Sequence, residues 1–290
     1  MKPTQLTLVL NIAVLVVVSA MHLRAENPPT SPRPSALAGV LHPELARADA
    51  ATLREAAAQA NAQLTLHNTL FDHCTSGVWF GSDGILKAEH VTAAVNHLWH
   101  PYAAPTSSYL TNCLIQKDQS YSVTATNGVR FYTSNQMAGV FTTVAGGRYY
   151  LAASSSNRNV GTTNISAALL AELKTKTTFA PVAFTNATFT TNLVFNVQAQ
   201  RDTDTPDLGY HYDPIDFVFG GCVSLADLNF NPGTIAAWFP SVTNSENYNW
   251  PWGLHVDDTN TATFAGRADA RCGWVRANTV QEADGSYPDQ

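Results

Sequence analysis

Apolar and polar residues alternate in short runs along the middle of the chain, and the runs repeat. Leu66-His67-Asn68-Thr69-Leu70-Phe71 returns as Leu110-Thr111-Asn112-Cys113-Leu114-Ile115, 44 residues later. Half of that offset reaches Ala88-Glu89-His90-Val91-Thr92-Ala93, which keeps a related pattern. The columns are Leu66, Ala88 and Leu110; Asn68, His90 and Asn112; Thr69, Val91 and Cys113; and Phe71, Ala93 and Ile115. A step of about 20–25 residues between strand-like runs is the mark of a solenoid whose coils stack on one another. Alternation sends every second side chain inward, so equivalent positions on successive coils meet as ladders. A polar Asn at the bend of a coil can satisfy backbone groups there and bond to its neighbour above or below. Gly81-Ser82-Asp83-Gly84 reads as a turn between strands, and a fourth, looser repeat is expected at Tyr132 to Met137.

Both ends depart from this pattern. Lys2 precedes an apolar stretch from Leu6 to Met21, broken only by Thr7, Asn11 and Ser19. A short basic start, a compact hydrophobic region and small residues after it predict a secretory signal peptide over 1–25, with Ala20 and Ala25 as cleavage positions. An uncleaved membrane anchor would need about 20 apolar residues, and this run breaks at His22 and Arg24. The mature chain is therefore expected to be secreted or at the cell surface, free of the membrane. Pro28, Pro29, Pro32 and Pro34 make Glu26 to Val40 an extended tether. Pro43 and the alanine-rich run from His42 to Gln63 predict a helix ending near Asn61, which caps the open end of the stack. After Pro214, strand-like texture continues at Ile215 to Phe219, Val223 to Phe230, Thr234 to Phe239 and Thr261 to Phe264. The expected organisation is signal peptide (1–25), tether and capping helix (26–63), parallel β-helix (64–214) and a β-rich C-terminal module (215–290). A last strand left at an open edge would be a pairing template, so a covering partner or a longer natural chain is expected there.

Composition agrees with an all-β class. The 290 residues include 32 Thr and 21 Asn, and only 13% are charged; Thr favours strands and Asn favours turns. Sixteen Lys and Arg against 22 Asp and Glu give a net charge of −6, which excludes a general nucleic-acid or anionic-membrane binder. Cys74, Cys113, Cys222 and Cys272 lie far apart with no CxxC pair. An exported chain can form disulfides, but four cysteines allow three connectivities, and buried free thiols are equally consistent. The spacing gives a zinc site little support.

Leu110 to Ile115 resembles a coil of the secreted bacterial right-handed parallel β-helix proteins, the pectate-lyase-like superfamily. Pro206-Asp207-Leu208-Gly209-Tyr210-His211-Tyr212-Asp213-Pro214 is similar to the segment that closes many such domains, and Tyr149 to Ala152 and Arg158 to Asn164 resemble the stretch before that closure. The resemblance covers roughly Leu64 to Pro214. It implies a right-handed parallel β-helix, and Cys272 to Gln281 looks like the opening of a further β-helical module. It does not imply one activity, because the superfamily holds lyases, hydrolases, adhesins and members of no known role.

Candidate chemistry is sparse. Asp202, Asp204 and Asp207 are spaced to converge on Ca²⁺, although the EF-type glycine and distal glutamate are missing; the alternative is a polar turn. Calcium is the one cofactor these residues suggest. His67, His73, His90, His97 and His100 crowd the first coils, with His67 and His90 one coil apart, and read chiefly as solvent-facing. A lyase would need a Ca²⁺-binding acidic group and a basic residue, for which Lys87, Lys117, Arg130 and Arg148 are the candidates. The polygalacturonase signatures Asn-Thr-Asp, Gly-His-Gly and Arg-x-Lys are absent, and Asp257-Asp258 reads as a hairpin turn. Trp79, Trp99 and Tyr102, together with Phe80 and Tyr109, fall on the candidate coils; exposed, they would form a platform for sugar rings, and buried, the commoner case, they would fill the solenoid. The favoured expectation is a non-catalytic secreted scaffold that binds extracellular or cell-surface glycans; the alternative is a polysaccharide lyase or glycoside hydrolase.

Overall fold

A computed structural model describes residues 63–72, 76–78, 80, 84–94, 97–99, 104–117, 123–239 and 253–282, all within one compact unit, Ala50–Gln290. The expected signal peptide, tether and capping helix lie outside the described residues, apart from Gln63.

The first stack uses β1 (Gln63–Phe71), β2 (Ser76–Val78), β3 (Ile85–Ala93), β4 (His97–Trp99), β5 (Ser107–Thr111), β6 (Leu114–Gln116), β7 (Ala125–Asn127) and β8 (Arg130–Tyr132). β1, β3, β5 with β6, and β7 with β8 lie in parallel, layer on layer, and β2 pairs in parallel with β4. Gln63 opposes Ile85 and Ile85 opposes Ser107, which gives the 22-residue step read from the sequence. Leu66, Ala88 and Leu110 align, as do Phe71, Ala93 and Ile115. The next step is only 16 residues, from Tyr109 to Ala125 and from Leu114 to Arg130. The fourth repeat is therefore Thr126 to Phe131. Tyr132 to Met137, expected to be that repeat, instead ends β8 and enters helix α1 (Ser134–Ala138). Thr133 caps α1 reciprocally with Gln136, which stops the strand pattern there.

Each of these coils bends at one residue in left-handed conformation: Asn68 (φ 43°), His90 (φ 54°), Asn112 (φ 53°) and Gly128 (φ 64°). Asn and Gly suit that region because a small polar or absent side chain relieves the clash with the backbone. Leu86, Ala88, Val91, Leu110, Cys113 and Ile115 fill the interior.

A hairpin of β9 (Phe141–Val144) and β10 (Gly147–Leu151) follows, antiparallel, then helix α2 (Ala167–Leu173). The second stack has three parallel sheets. The first contains β11 (Val182–Thr185), the second β12 (Thr188–Phe189) and the third β13 (Leu193–Phe195). The chain visits the same three sheets in the same order with β14 (Phe217–Gly220), β15 (Cys222–Ser224) and β16 (Leu228–Phe230). It visits them again with β17 (Ile235–Trp238), β18 (Leu254–Val256) and β19 (Ala262–Phe264), and returns to the first sheet with β20 (Gly273–Arg276). This order is compatible with a β-solenoid. The core carries aromatic columns: Phe195 stacks on Phe230 at 4.7 Å and Phe230 on Phe264 at 4.4 Å. The outer face of the first sheet is also covered, where Val218 and Ala237 pack with Ile215, Phe239 and Ala277 and with Val144 and Ala145 of the hairpin.

A Cβ at Gly128 would sit 2.6 Å from Asn112 Oδ1. Gly128→Ala should lower the urea midpoint by the equivalent of about 2 kcal/mol, from left-handed strain and the displaced carboxamide. Gly139→Ala, at a right-handed position with 3.5 Å of clearance, should leave the midpoint nearly unchanged in the same measurement.

Candidate functional site

At the bends of the first stack, two later segments cross the coils. Asn112 Nδ2 donates to the Thr162 carbonyl at 2.8 Å, and its Oδ1 accepts the Thr162 N–H at 2.8 Å. Asn68 treats His211 the same way, donating to its carbonyl at 2.9 Å and accepting its N–H at 2.7 Å. Each carboxamide thus acts as a piece of strand edge. Asn112 Nδ2 also donates to His90 Nε2 at 2.8 Å, which is the contact between coils anticipated for this column. Gly209 N–H donates to the Asn112 carbonyl and Tyr210 N–H to Thr92 Oγ1. Only glycine fits at 209: φ is +87°, and a Cβ would lie 2.5 Å from Thr92 Oγ1.

The aspartates expected to bind calcium work in this clasp. Asp202 Oδ2 accepts from His211 Nε2 at 2.6 Å and from the Asp207 N–H at 3.0 Å. Asp207 accepts from Arg158 at 3.0 Å, from the Asn159 N–H at 2.7 Å and from the Thr178 hydroxyl. Asp204 has neither of these roles and is exposed. Among the described residues no group of three His, Cys, Asp or Glu side chains could hold a metal ion. His211 Nδ1 faces the Gly209 carbonyl at 3.0 Å, so both ring nitrogens lie within hydrogen-bond distance of an oxygen acceptor. Burial alone would push the Asp202 carboxyl up; the hydrogen bond and charge of His211 outweigh it and hold it below its ordinary value. Burial, reinforced by the nearby His211, pulls His90 down to about 3, so His90 is neutral, and its Nδ1 has no hydrogen-bond partner among the described residues.

Arg158 was not singled out by chemistry in the sequence, although it is the one charged residue between Arg148 and Glu172. It lies 3.6 Å from the Phe179 ring centroid and also bonds Thr178 and the Leu151 carbonyl. A lone charge in so long an uncharged stretch is the signal that could have marked it.

The other candidates are dispersed. Trp99 is 3% exposed and belongs to the core of the first stack, so its ring offers no sugar platform; Trp79 and Tyr102 lie outside the described residues, as do His73, His100 and Cys74. His67 is outward and meets Glu89 at 3.2 Å, whereas His90 is fully buried, so the two rings do not pair. Cys113, Cys222 and Cys272 are free thiols, and burial pushes Cys113 up to about 12, which makes it an inert packing group. Lys117 sits over Phe131 and Arg130 reaches Ser156. Asp257 and Asp258 lie in the turn after β18, where the Asn260 N–H donates to the Asp257 carbonyl.

Two open surfaces among the described residues carry polar chemistry. The outward face of β1, β3, β5 and β7 aligns Thr65, Lys87, Tyr109 and Ala125 in one row and His67, Glu89, Thr111 and Asn127 in the next. Tyr109 is 42% exposed. The second surface is a cleft of about 360 Å³ between the end of β6, helix α1 and the β9–β10 hairpin, with Arg148 and Tyr149 on its wall.

The clasp fixes how stability responds to acid. His90 and Asp202 both have folded pKa values below their ordinary ones, so the unfolded chain takes up more protons as pH falls, and stability drops with it. The urea midpoint should decline as pH falls from about 6.5 towards 3, the window between the ordinary and folded values of His90. His90→Asn keeps a residue suited to the left-handed bend and should flatten the part of that decline near pH 6. Asn112→Ala should cost about 3 kcal/mol at pH 7, from lost buried hydrogen bonds and a strained backbone. No family model matches this chain, and no curated protein or solved structure is similar to it at a significant level.

Proposed function

We propose that the chain is an exported, non-catalytic β-helix scaffold that holds an extracellular or cell-surface glycan along the outward face of β1, β3, β5 and β7. The observation that carries this is the in-register polar face itself, with Tyr109 exposed above it. Successive parallel strands lie about 4.8 Å apart. A glycan lying across them would therefore meet a hydroxyl, amide or charged group at every strand, with the Tyr109 ring for the apolar face of a sugar and Lys87 beside it. On this face the one carboxylate, Glu89, is already engaged by His67. A pair of carboxylates with a base, the demand of the lyase and hydrolase alternatives, has no counterpart among its described residues. The coils are right-handed in this reading, because parallel crossovers are right-handed in about 98% of cases and because the closing segment resembles that of right-handed β-helices.

Co-sedimentation of the purified chain with insoluble cellulose, chitin or pectin gel tests the reading. One of these should retain the protein, and Tyr109→Ala and Lys87→Ala should each weaken retention by about tenfold. Unchanged retention in both variants would sink it. Incubation with soluble pectin, with and without Ca²⁺, should release no unsaturated product; calcium-dependent turnover would put the lyase in its place.

A further inference from the structure

The cleft beside the hairpin has no part in the flank described above, and its chemistry points to a second contact. Resting on the glycan reading, we propose that it takes a single neutral sugar ring at the end of a chain. A volume of about 360 Å³ is at the small end of ligand pockets, roughly 300–1,000 Å³, which suits one ring or two rather than an extended polymer. Gln116, Ser134, Met137, Thr143, Arg148 and Tyr149 contribute to its lining. The amide and the two hydroxyls each donate and accept, and the guanidinium donates. Such a mixture matches a polyol, whose hydroxyls also do both, and would be left half unused by a ligand that only accepts. Met137 and Tyr149 supply apolar surface for the C–H face of a sugar.

The wall is fixed before any ligand arrives. The Tyr149 hydroxyl donates to Asp72 Oδ1 at 2.5 Å, and its N–H donates to the Tyr212 hydroxyl at 3.1 Å. The Phe141 ring meets the Tyr149 ring edge to face, 5.3 Å between centroids. Burial and the Asp72 hydrogen bond push the Tyr149 phenol well above its ordinary value, so it stays neutral. Gln116, Ser134 and Arg148 each keep an interaction within the protein.

Charge decides between neutral and acidic sugars. Tyr149 feels Asp72 and Glu282 as well as Arg148, and Glu282 accepts from the Arg148 N–H at 3.2 Å. Asp72 and Arg148 act on Tyr149 with opposite sign, so a carboxylated sugar against this wall meets repulsion as well as attraction.

The test is a titration of the isotopically labelled full chain, followed by two-dimensional NMR, with methyl β-glucoside, methyl β-galactoside and N-acetylglucosamine as probes and glucuronate as the acidic comparison. At least one neutral probe should give saturable shifts in α1 and β9–β10, with affinity on the order of millimolar, as the few contacts of one ring allow. Tyr149→Leu should weaken binding by about tenfold, and Gln116→Ala, which leaves the Asp72 contact alone, by about fivefold. Tyr149→Phe keeps the ring but loses the bond to Asp72 that fixes it, and should weaken binding by less than Tyr149→Leu does. No saturation by any neutral probe, tighter binding of glucuronate, or parent-like affinity in Gln116→Ala would overturn the proposal. Retention on polysaccharide through Tyr109 would survive that failure, and loss of retention with intact probe binding would sink the flank alone.

Discussion

A chain that turns sharply inside a parallel sheet leaves amides and carbonyls that no neighbouring strand can reach, and each one buried without a partner costs about 1–3 kcal/mol. In the first stack that cost is met by carboxamides. Asn68 and Asn112 stand at left-handed bends and present one acceptor and one donor to a crossing backbone, as a strand edge would. Two crossing segments are held in this way, and the segments hold each other, since the Gly161 N–H donates to the Pro206 carbonyl and the Leu208 N–H to that of Asn157. The surfaces on which function is proposed, flank and cleft, stand on coils kept in register by this seal.

Two buried aspartates, Asp207 and Asp216, anchor the segments that lead into and between the coils. Asp216, fully buried at the entry to β14, accepts N–H groups of Gln198, Ala199 and Ile235 and pairs with Arg201 at 3.1 Å. Asp207 gathers Arg158, Asn159 and Thr178 in the same manner. A buried ion pair is a weak source of net stability, but removing one member leaves an uncompensated charge and is strongly destabilising. These aspartates fix which segment docks where. Within the coils the work passes to apolar ladders, chiefly aliphatic in the first stack and aromatic in the second.

The first three coils were legible in the sequence because their step is constant and their bend residue is polar, so Asn68, His90 and Asn112 fall in one column. The fourth was missed because its step contracts to 16 residues. The second stack was seen only as strand texture, since its returns to the first sheet take 35, 19 and then 38 residues; a ladder constrains the strands and leaves the detours between them free. The spacing of Asp202, Asp204 and Asp207 leaves an ion-binding turn and a polar turn both open, because the partners of Asp207 lie far off in sequence. Arg158 lies 49 residues before Asp207, and the clasp itself depends on Asn68, 143 residues before His211. Trp99 shows the same limit: an aromatic on a strand reads alike whether it faces inward or out, and only the coil's closure decides.

That separation of 143 residues between Asn68 and His211 also imposes an order of events. The segment that seals the first stack is part of the long excursion between β13 and β14, so it lies within the second. The coils made earliest by the ribosome are thus completed by residues that emerge much later, and long-range closure of this kind is slow to form. Until then the bends at Asn68 and Asn112 hold unanswered polar groups. If the chain is exported as proposed, a stack that cannot lock early stays pliable enough to be threaded before it sets.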